Sequence, residues 1–171
     1  MLELVVPNIS HKEQWEEIMA EWKDDWRKNP KIFFQDSYEV FMEICSHVIM
    51  SDDLVRKIPK SSLYFLLNSE TQRIVGLFTF RHNLNFWDDA THGGNIGYGI
   101  RPSERKRGFA KDGLRLLLIE VKKLGFENVF ISCDDDNTGS YRVIEANGGV
   151  LEKYCERHGF KTRRYMIHIP N

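Results

Sequence analysis

Arg105-Lys106-Arg107-Gly108-Phe109-Ala110 lies between a strand-like stretch ending near Arg101 and a helix-like stretch starting near Phe109. The first N–H groups of a helix have no intrahelical acceptor, and the backbone dipole makes that end positive. A basic, glycine-containing turn at this place therefore suits a phosphate. Gly108 has no Cβ, so a ligand oxygen can approach the backbone closely. Arg101, Arg105, Lys106 and Arg107 concentrate positive charge there, although the formal net charge of the chain is -1. Cations oppose a helix N-terminus unless an anion is bound, so the pattern favours phosphate binding over a solvated turn.

Outward from that turn, the chain alternates strand and helix patterns. Leu2 to Val6 reads as a strand stopped by Pro7. Ser10 with Glu13 predicts a capping box, followed by a helix with Trp15, Ile18, Met19, Trp22 and Trp26 on one face and Asn29-Pro30 at its end. Asp36 with Glu39 repeats the capping pattern ahead of Val40, Phe41, Ile44, Cys45, Val48 and Ile49. Tyr64 to Leu67 and Ile74 to Arg81 read as strands joined by the polar turn at 68–71. The segment from Asn83 to Gly94 reads as a loop, and Asn95 to Arg101 as a central strand in which Gly97 and Gly99 mark a bulge or a close backbone approach. Phe109 to Leu124 is the clearest helix, stopped by Gly125. A strand from Val129 to Cys133, a short helix to Ala146, and strands Val150 to Cys155 and Arg163 to Ile169 complete a mixed α/β chain.

With 171 residues, 42% hydrophobic and 29% charged, the expectation is one domain over residues 1–171. The near-neutral balance argues against a general nucleic-acid binder. No apolar run approaches the roughly 20 residues of a membrane span. Cys45, Cys133 and Cys155 are odd in number and widely spaced, as in reduced thiols, and the first residues carry no signal-peptide pattern. A cytoplasmic protein without membrane or nucleic-acid partners is expected, as a monomer or homodimer.

Tyr98-Gly99-Ile100-Arg101-Pro102, then Arg105-x-x-Gly108-x-Ala110, then a long amphipathic helix, resembles the Gcn5-related N-acetyltransferases (GNAT). The order of elements is similar over essentially the whole chain. The resemblance implies an acyl-CoA acyltransferase fold, a central mixed, mostly antiparallel sheet with splayed central strands flanked by helices. It implies acetyl-CoA as co-substrate, its diphosphate cradled by the amides of Lys106, Arg107, Gly108, Phe109 and Ala110, with Arg105 supplying charge. The strand through Ile100 and Arg101 would then line the pantetheine arm, and Asn137 would touch it. The implied reaction is direct attack of a primary amine, of a small molecule or a peptide, on the thioester. A non-catalytic acyl-CoA binder is the first rival, and a nucleotide or phosphate-binding module the second, disfavoured because Gly-x-x-x-x-Gly-Lys-Ser/Thr and an intact Gly-x-Gly-x-x-Gly before a helix are both absent.

The chain departs from the family pattern at two catalytic places. The position of the usual tyrosine is Ile144, which leaves Tyr141 one helical turn earlier as the candidate acid. The position of the glutamate base of some members falls at Gly94-Asn95, which leaves His92, or water, to take the amine proton.

Two other patterns bear on function. Asp134-x-Asp136-x-Thr138-Gly139 with Glu145 matches much of a calcium-loop spacing. The short β-branched segment before it and the helix inside it make a metal site the poorer reading, and none is expected. Asp24, Asp25, Glu39, Glu43, Asp52, Asp53, Asp88 and Asp89 could border an amine-binding rim, though solvated surface explains them more simply.

Overall fold

Asn8, rather than Ser10, opens the first helical segment. Its Oδ1 accepts from the N–H of Ser10 at 3.0 Å, and His11 Nδ1 accepts from the N–H of Asn8 at 3.1 Å. A 3-10 turn, Ile9–His11, comes first and leads into α1, Lys12–Glu21. The capping box therefore sits two residues earlier than the sequence predicted, because the asparagine side chain already serves the turn. Helix α2, Tyr38–Val48, is likewise capped one residue away from expectation, by Ser37. Its buried face is Tyr38, Phe41, Ile44 and Val48, while Val40 and Ile49 are exposed.

The computed structural model describes residues 1–22, 31–84, 94–157 and 159–170. Trp26, the Asn29-Pro30 stop, His92, Asp24, Asp25, Asp88 and Asp89 lie outside the described residues, as does most of the 83–94 loop. The strands are β1 (Leu2–Val5), β2 (Ser61–Asn68), β3 (Arg73–Arg81), β4 (Ile96–Ile100), β5 (Asn128–Asp134), β6 (Gly149–Arg157) and β7 (Phe160–His168). Helix α3 is Phe109–Lys123, and α4 is Thr138–Ala146. Every ladder is antiparallel, in a four-stranded sheet β1-β2-β3-β4 and a three-stranded sheet β5-β7-β6. The α3 crossover brings β5 beside β4, and the two sheets separate there. No register shift occurs between β3 and β4, so the bulge predicted at Gly97 or Gly99 is absent; the irregularities lie at Leu66/Leu67 and Leu151/Lys153.

Strand alternation builds two cores. Val75, Phe78, Phe80, Ile96 and Ile100 point to the face covered by α3 and α4, together with Val129, Ile131 and Cys133 of β5. Leu63, Phe65, Ile74 and Leu77 point the other way, toward Trp15, Ile18 and Trp22 of α1 and Phe41, Ile44 and Val48 of α2. Leu114, Leu117 and Val121 form the buried stripe of α3, each contributing about 1.5–3 kcal/mol by burial. The helix seats closely because Gly113 has no side chain: a Cβ there would lie 2.3 Å from Phe78 Cζ.

Candidate active site

The turn from Arg101 to Ala110 links β4 to α3. Pro102–Glu104 make a 3-10 turn, after which Lys106 (φ +62) and Gly108 (φ +83) take left-handed backbone. Gly108 caps α3 without a side-chain bond, and nothing lies within 4 Å of a Cβ built on it. Its carbonyl accepts from Lys111 and Asp112 at 3.0 and 3.2 Å. Among the described residues, no acceptor takes the N–H groups of Lys106, Arg107, Gly108, Phe109 or Ala110. Five consecutive donors at the positive end of a 15-residue helix are an arrangement that suits an anion.

The cationic side chains do less than the sequence suggested. Arg101 is only 3% exposed and turns away to α1, where it bonds Glu21 at 2.5 Å and Glu17 at 2.8 Å. Burial opposes its charge, but the two carboxylates outweigh that and raise its pKa. Burial pushes the Glu21 carboxyl up, and bonds from Arg101 and Ser103 more than reverse this. Arg107 pairs with Glu104, which also holds Arg73 at 3.0 Å, and stacks 5.0 Å over the Phe109 ring. Arg105 Nε donates to the Ile100 carbonyl at 3.1 Å. Arg105 and Lys106 keep exposed cationic side chains beside the five main-chain donors.

The bonds from Arg81 N–H to Asn95 O and from Arg101 N–H to Val75 O show which groups of β4 face β3. In an antiparallel ladder such pairs alternate, so the main-chain groups of Ile96 and Tyr98 face the opening toward β5. The Ile100 N–H faces it too, while its carbonyl is taken by Arg105. An extended chain carrying amides could pair with this edge as an added strand. Tyr98 ties β4 to α4. Its ring stacks on Phe78 at 5.6 Å, and its hydroxyl meets Ser140 Oγ of α4 at 2.8 Å. Burial raises the Tyr98 pKa. Cys133, buried beside Ser140, has its thiol pushed up to about 11, mainly by burial. Sequence reading assigned no role to Tyr98 or Ser140, since only the fold sets a β4 residue against the first turn of α4.

Asn137 caps α4, its Oδ1 accepting from Ser140 N–H at 3.2 Å. Tyr141 is half-buried beneath Arg163, whose guanidinium lies 4.1 Å from the ring centre and bonds Asp135 at 2.6 Å. Ile144, where the usual tyrosine would stand, is wholly buried core. Of the calcium-like spacing, Asp134 pairs with Arg157 at 3.7 Å, and Glu145 accepts from the Tyr165 hydroxyl at 2.8 Å. The described acidic candidates are similarly committed. Glu39 pairs with Lys12, which drives its carboxyl down to about 2, and Asp52, Asp53 and Glu43 bond Lys60, Arg56 and Asn83.

On the α1/α2 face, Thr79 stands opposite Gly97 and Leu77 opposite Gly99, so β4 presents no side chain at either place. The Thr79 hydroxyl is buried and, among the described residues, has no hydrogen-bond partner.

An acetyltransferase (GNAT) domain family model matches residues 5–150. No curated protein matches the sequence. The chain is similar in structure to the Salmonella typhimurium acetyltransferase that modifies the N-terminal serine of ribosomal protein L7/L12, with 17% identity, a TM-score of 0.69, and coverage of 99% of this chain and 95% of that one. It is similar to the ribosomal L7/L12 α-N-protein acetyltransferase RimL in complex with coenzyme A, at 19% identity and TM-score 0.72, over 98% of this chain and 94% of that one. The microcin C7 self-immunity acetyltransferase MccE, in complex with acetyl-CoA and AMP, is similar at 19% identity and TM-score 0.71, over 98% and 92%. At such identities the likenesses show the fold. The family match spans most of the length, from β1 past the turn before α3 to the start of β6, and the chain belongs to the GNAT acetyltransferase family.

Proposed function

We propose that residues 1–171 form one N-acetyltransferase domain that transfers an acetyl group from acetyl-CoA to a primary amine of a small molecule or peptide. The observation that carries this reading is the run of five unaccepted N–H groups from Lys106 to Ala110, at the helix end beside the slot. These donors suit a diphosphate, and the gap-facing groups of Ile96, Tyr98 and Ile100 suit the amides of the pantetheine arm. When bound, acetyl-CoA supplies an activated acyl thioester. The chain's residues orient the two partners, and proximity accounts for much of the acceleration.

A β4 N–H facing the slot polarises the carbonyl oxygen. The amine nitrogen forms the C–N bond as the C–S bond breaks. The amine proton leaves to water or to His92, and a hydroxyl of α4, Tyr141 or its neighbour Ser140, protonates the thiolate. Among the similar structures, the Salmonella enzyme modifies the N-terminal serine of a protein, which supports an amine on a polypeptide as one acceptor class. Cys45, Cys133 and Cys155 are free thiols, which supports a cytoplasmic place. Among the described residues no helix is long and apolar enough to cross a membrane.

Thermal shift with acetyl-CoA, ATP and NAD tests the ligand. At a hundred times its Kd, acetyl-CoA adds about 2.7 kcal/mol, or roughly 5–10 °C in Tm. A screen of primary amines and short peptides following free thiol tests the reaction. No acetyl-CoA shift, or an equal shift with ATP, overturns the ligand reading. Binding without thiol release for any amine selects a non-catalytic acyl-CoA binder.

A further inference from the structure

Asn95 is 8% exposed and uses each of its main-chain and amide groups across two neighbouring strands. Its N–H donates to the Phe130 carbonyl at 2.7 Å, and its Oδ1 accepts from the Phe130 N–H at 2.9 Å. Its carbonyl accepts from the Arg81 N–H at 2.7 Å, and its Nδ2 donates to the Arg81 carbonyl at 3.1 Å. One residue thus serves as ladder partner to β3 and β5 together, with its side-chain amide standing in for main-chain groups. Gly94 makes the approach possible: it has φ +79, forms an isolated bridge with Ile131, and a Cβ on it would fall 2.4 Å from the Phe130 oxygen. Arg81 Nη1 secures the same point from β3 by donating to the Gly94 carbonyl at 2.9 Å.

One residue further, at Ile96, the pairing with β3 continues, and among the described residues no main-chain bond crosses to β5. The Gly94-Asn95 clip is therefore the closed end of the slot. The anion cradle lies at the other end of β4, about 20 Å away at 3.3 Å per residue. A coenzyme A arm running from the cradle along β4 points its acyl group at the clip.

We propose that Asn95 is a positioning residue that sets the depth of the slot and so restricts the enzyme to short acyl thioesters, acetyl and propionyl. This inference rests on the acyl-CoA reading above. The test is a binding series, by calorimetry, of coenzyme A and its acetyl, propionyl, butyryl and hexanoyl thioesters. The wild-type protein binds hexanoyl-CoA at least tenfold more weakly than acetyl-CoA. In Asn95→Ser, which cannot span both strands, the ratio falls to threefold or less while coenzyme A itself binds within threefold of wild type. A merely structural role would weaken every ligand together and leave the ratio unchanged. Equal wild-type affinities for acetyl- and hexanoyl-CoA overturn the inference even where the variant does not fold, and so does a folded Asn95→Ser with the wild-type ratio. Failure of every member to bind the wild type overturns the acyl-CoA reading instead, and this inference with it.

Discussion

Replacing Gly108 separates the main-chain grip from the side-chain charge around it. Gly108→Asn and Gly108→Asp differ by one charge, and both residues tolerate left-handed backbone better than other side chains. Nothing within 4 Å obstructs a Cβ at this position, so neither change disturbs packing. In the free protein the introduced carboxylate would lie at the positive end of α3, where an acidic group stabilises by about 0.3–1 kcal/mol. With a diphosphate in the cradle the sign reverses. One charge against two at about 6 Å costs about 1.4 kcal/mol in water and several-fold more at a partly buried site. Because the position is open to solvent, the lower end applies, about 2 kcal/mol, or roughly 30-fold in Kd. Calorimetry with coenzyme A and thermal melts of the free protein provide the assay. Expected are a free Gly108→Asp at least as stable as Gly108→Asn, and coenzyme A binding about 30-fold weaker. Equal affinities for the two variants would refute placement of the diphosphate on this turn.

Gly113→Ala gains about 1 kcal/mol of helix propensity but drives a methyl into Phe78, a fully buried ring with no room to retreat. A net loss of about 1–2 kcal/mol is expected in urea unfolding, and an unchanged midpoint would show that α3 does not seat on this residue. Tyr141→Phe and Ser140→Ala together identify the acid. The true donor's loss slows turnover by about 100-fold or more without weakening coenzyme A binding, whereas loss of a hydroxyl that merely packs leaves turnover unchanged. The Cys133 thiol has a folded pKa of about 11 against an ordinary 9, because burial disfavours the thiolate. Its contribution to stability is complete below pH 9 and disappears as pH rises through 11. Cys133→Ala should flatten that alkaline decline; an identical pH profile would show that the thiol is not the cause.

The long helix α3 was legible because Leu114, Leu117 and Val121 repeat at helical spacing and Gly125 ends the pattern with left-handed backbone. The hairpin of β2 and β3 was legible from its polar turn. The caps of α1 and α2 were misplaced by one or two residues, because Ser, Asn and Asp side chains compete for the same few N–H groups and only the path of the chain selects among them. The glycines of β4 misled for a related reason. They carry no register shift against β3, and that depends on which strand lies alongside.

By itself, the amino-acid order determined the succession of strands and helices and the glycine-capped turn before α3, since periodicity, capping and positive-φ glycine act within a few residues. The tertiary structure alone decided what surrounds that turn. It sent Arg101 to Glu17, 84 residues away in sequence, and set Tyr98 against Ser140, 42 away. It closed the slot with Asn95 on Phe130, 35 residues apart. Such pairings arise when sheets twist and helices pack across them, which no local pattern records.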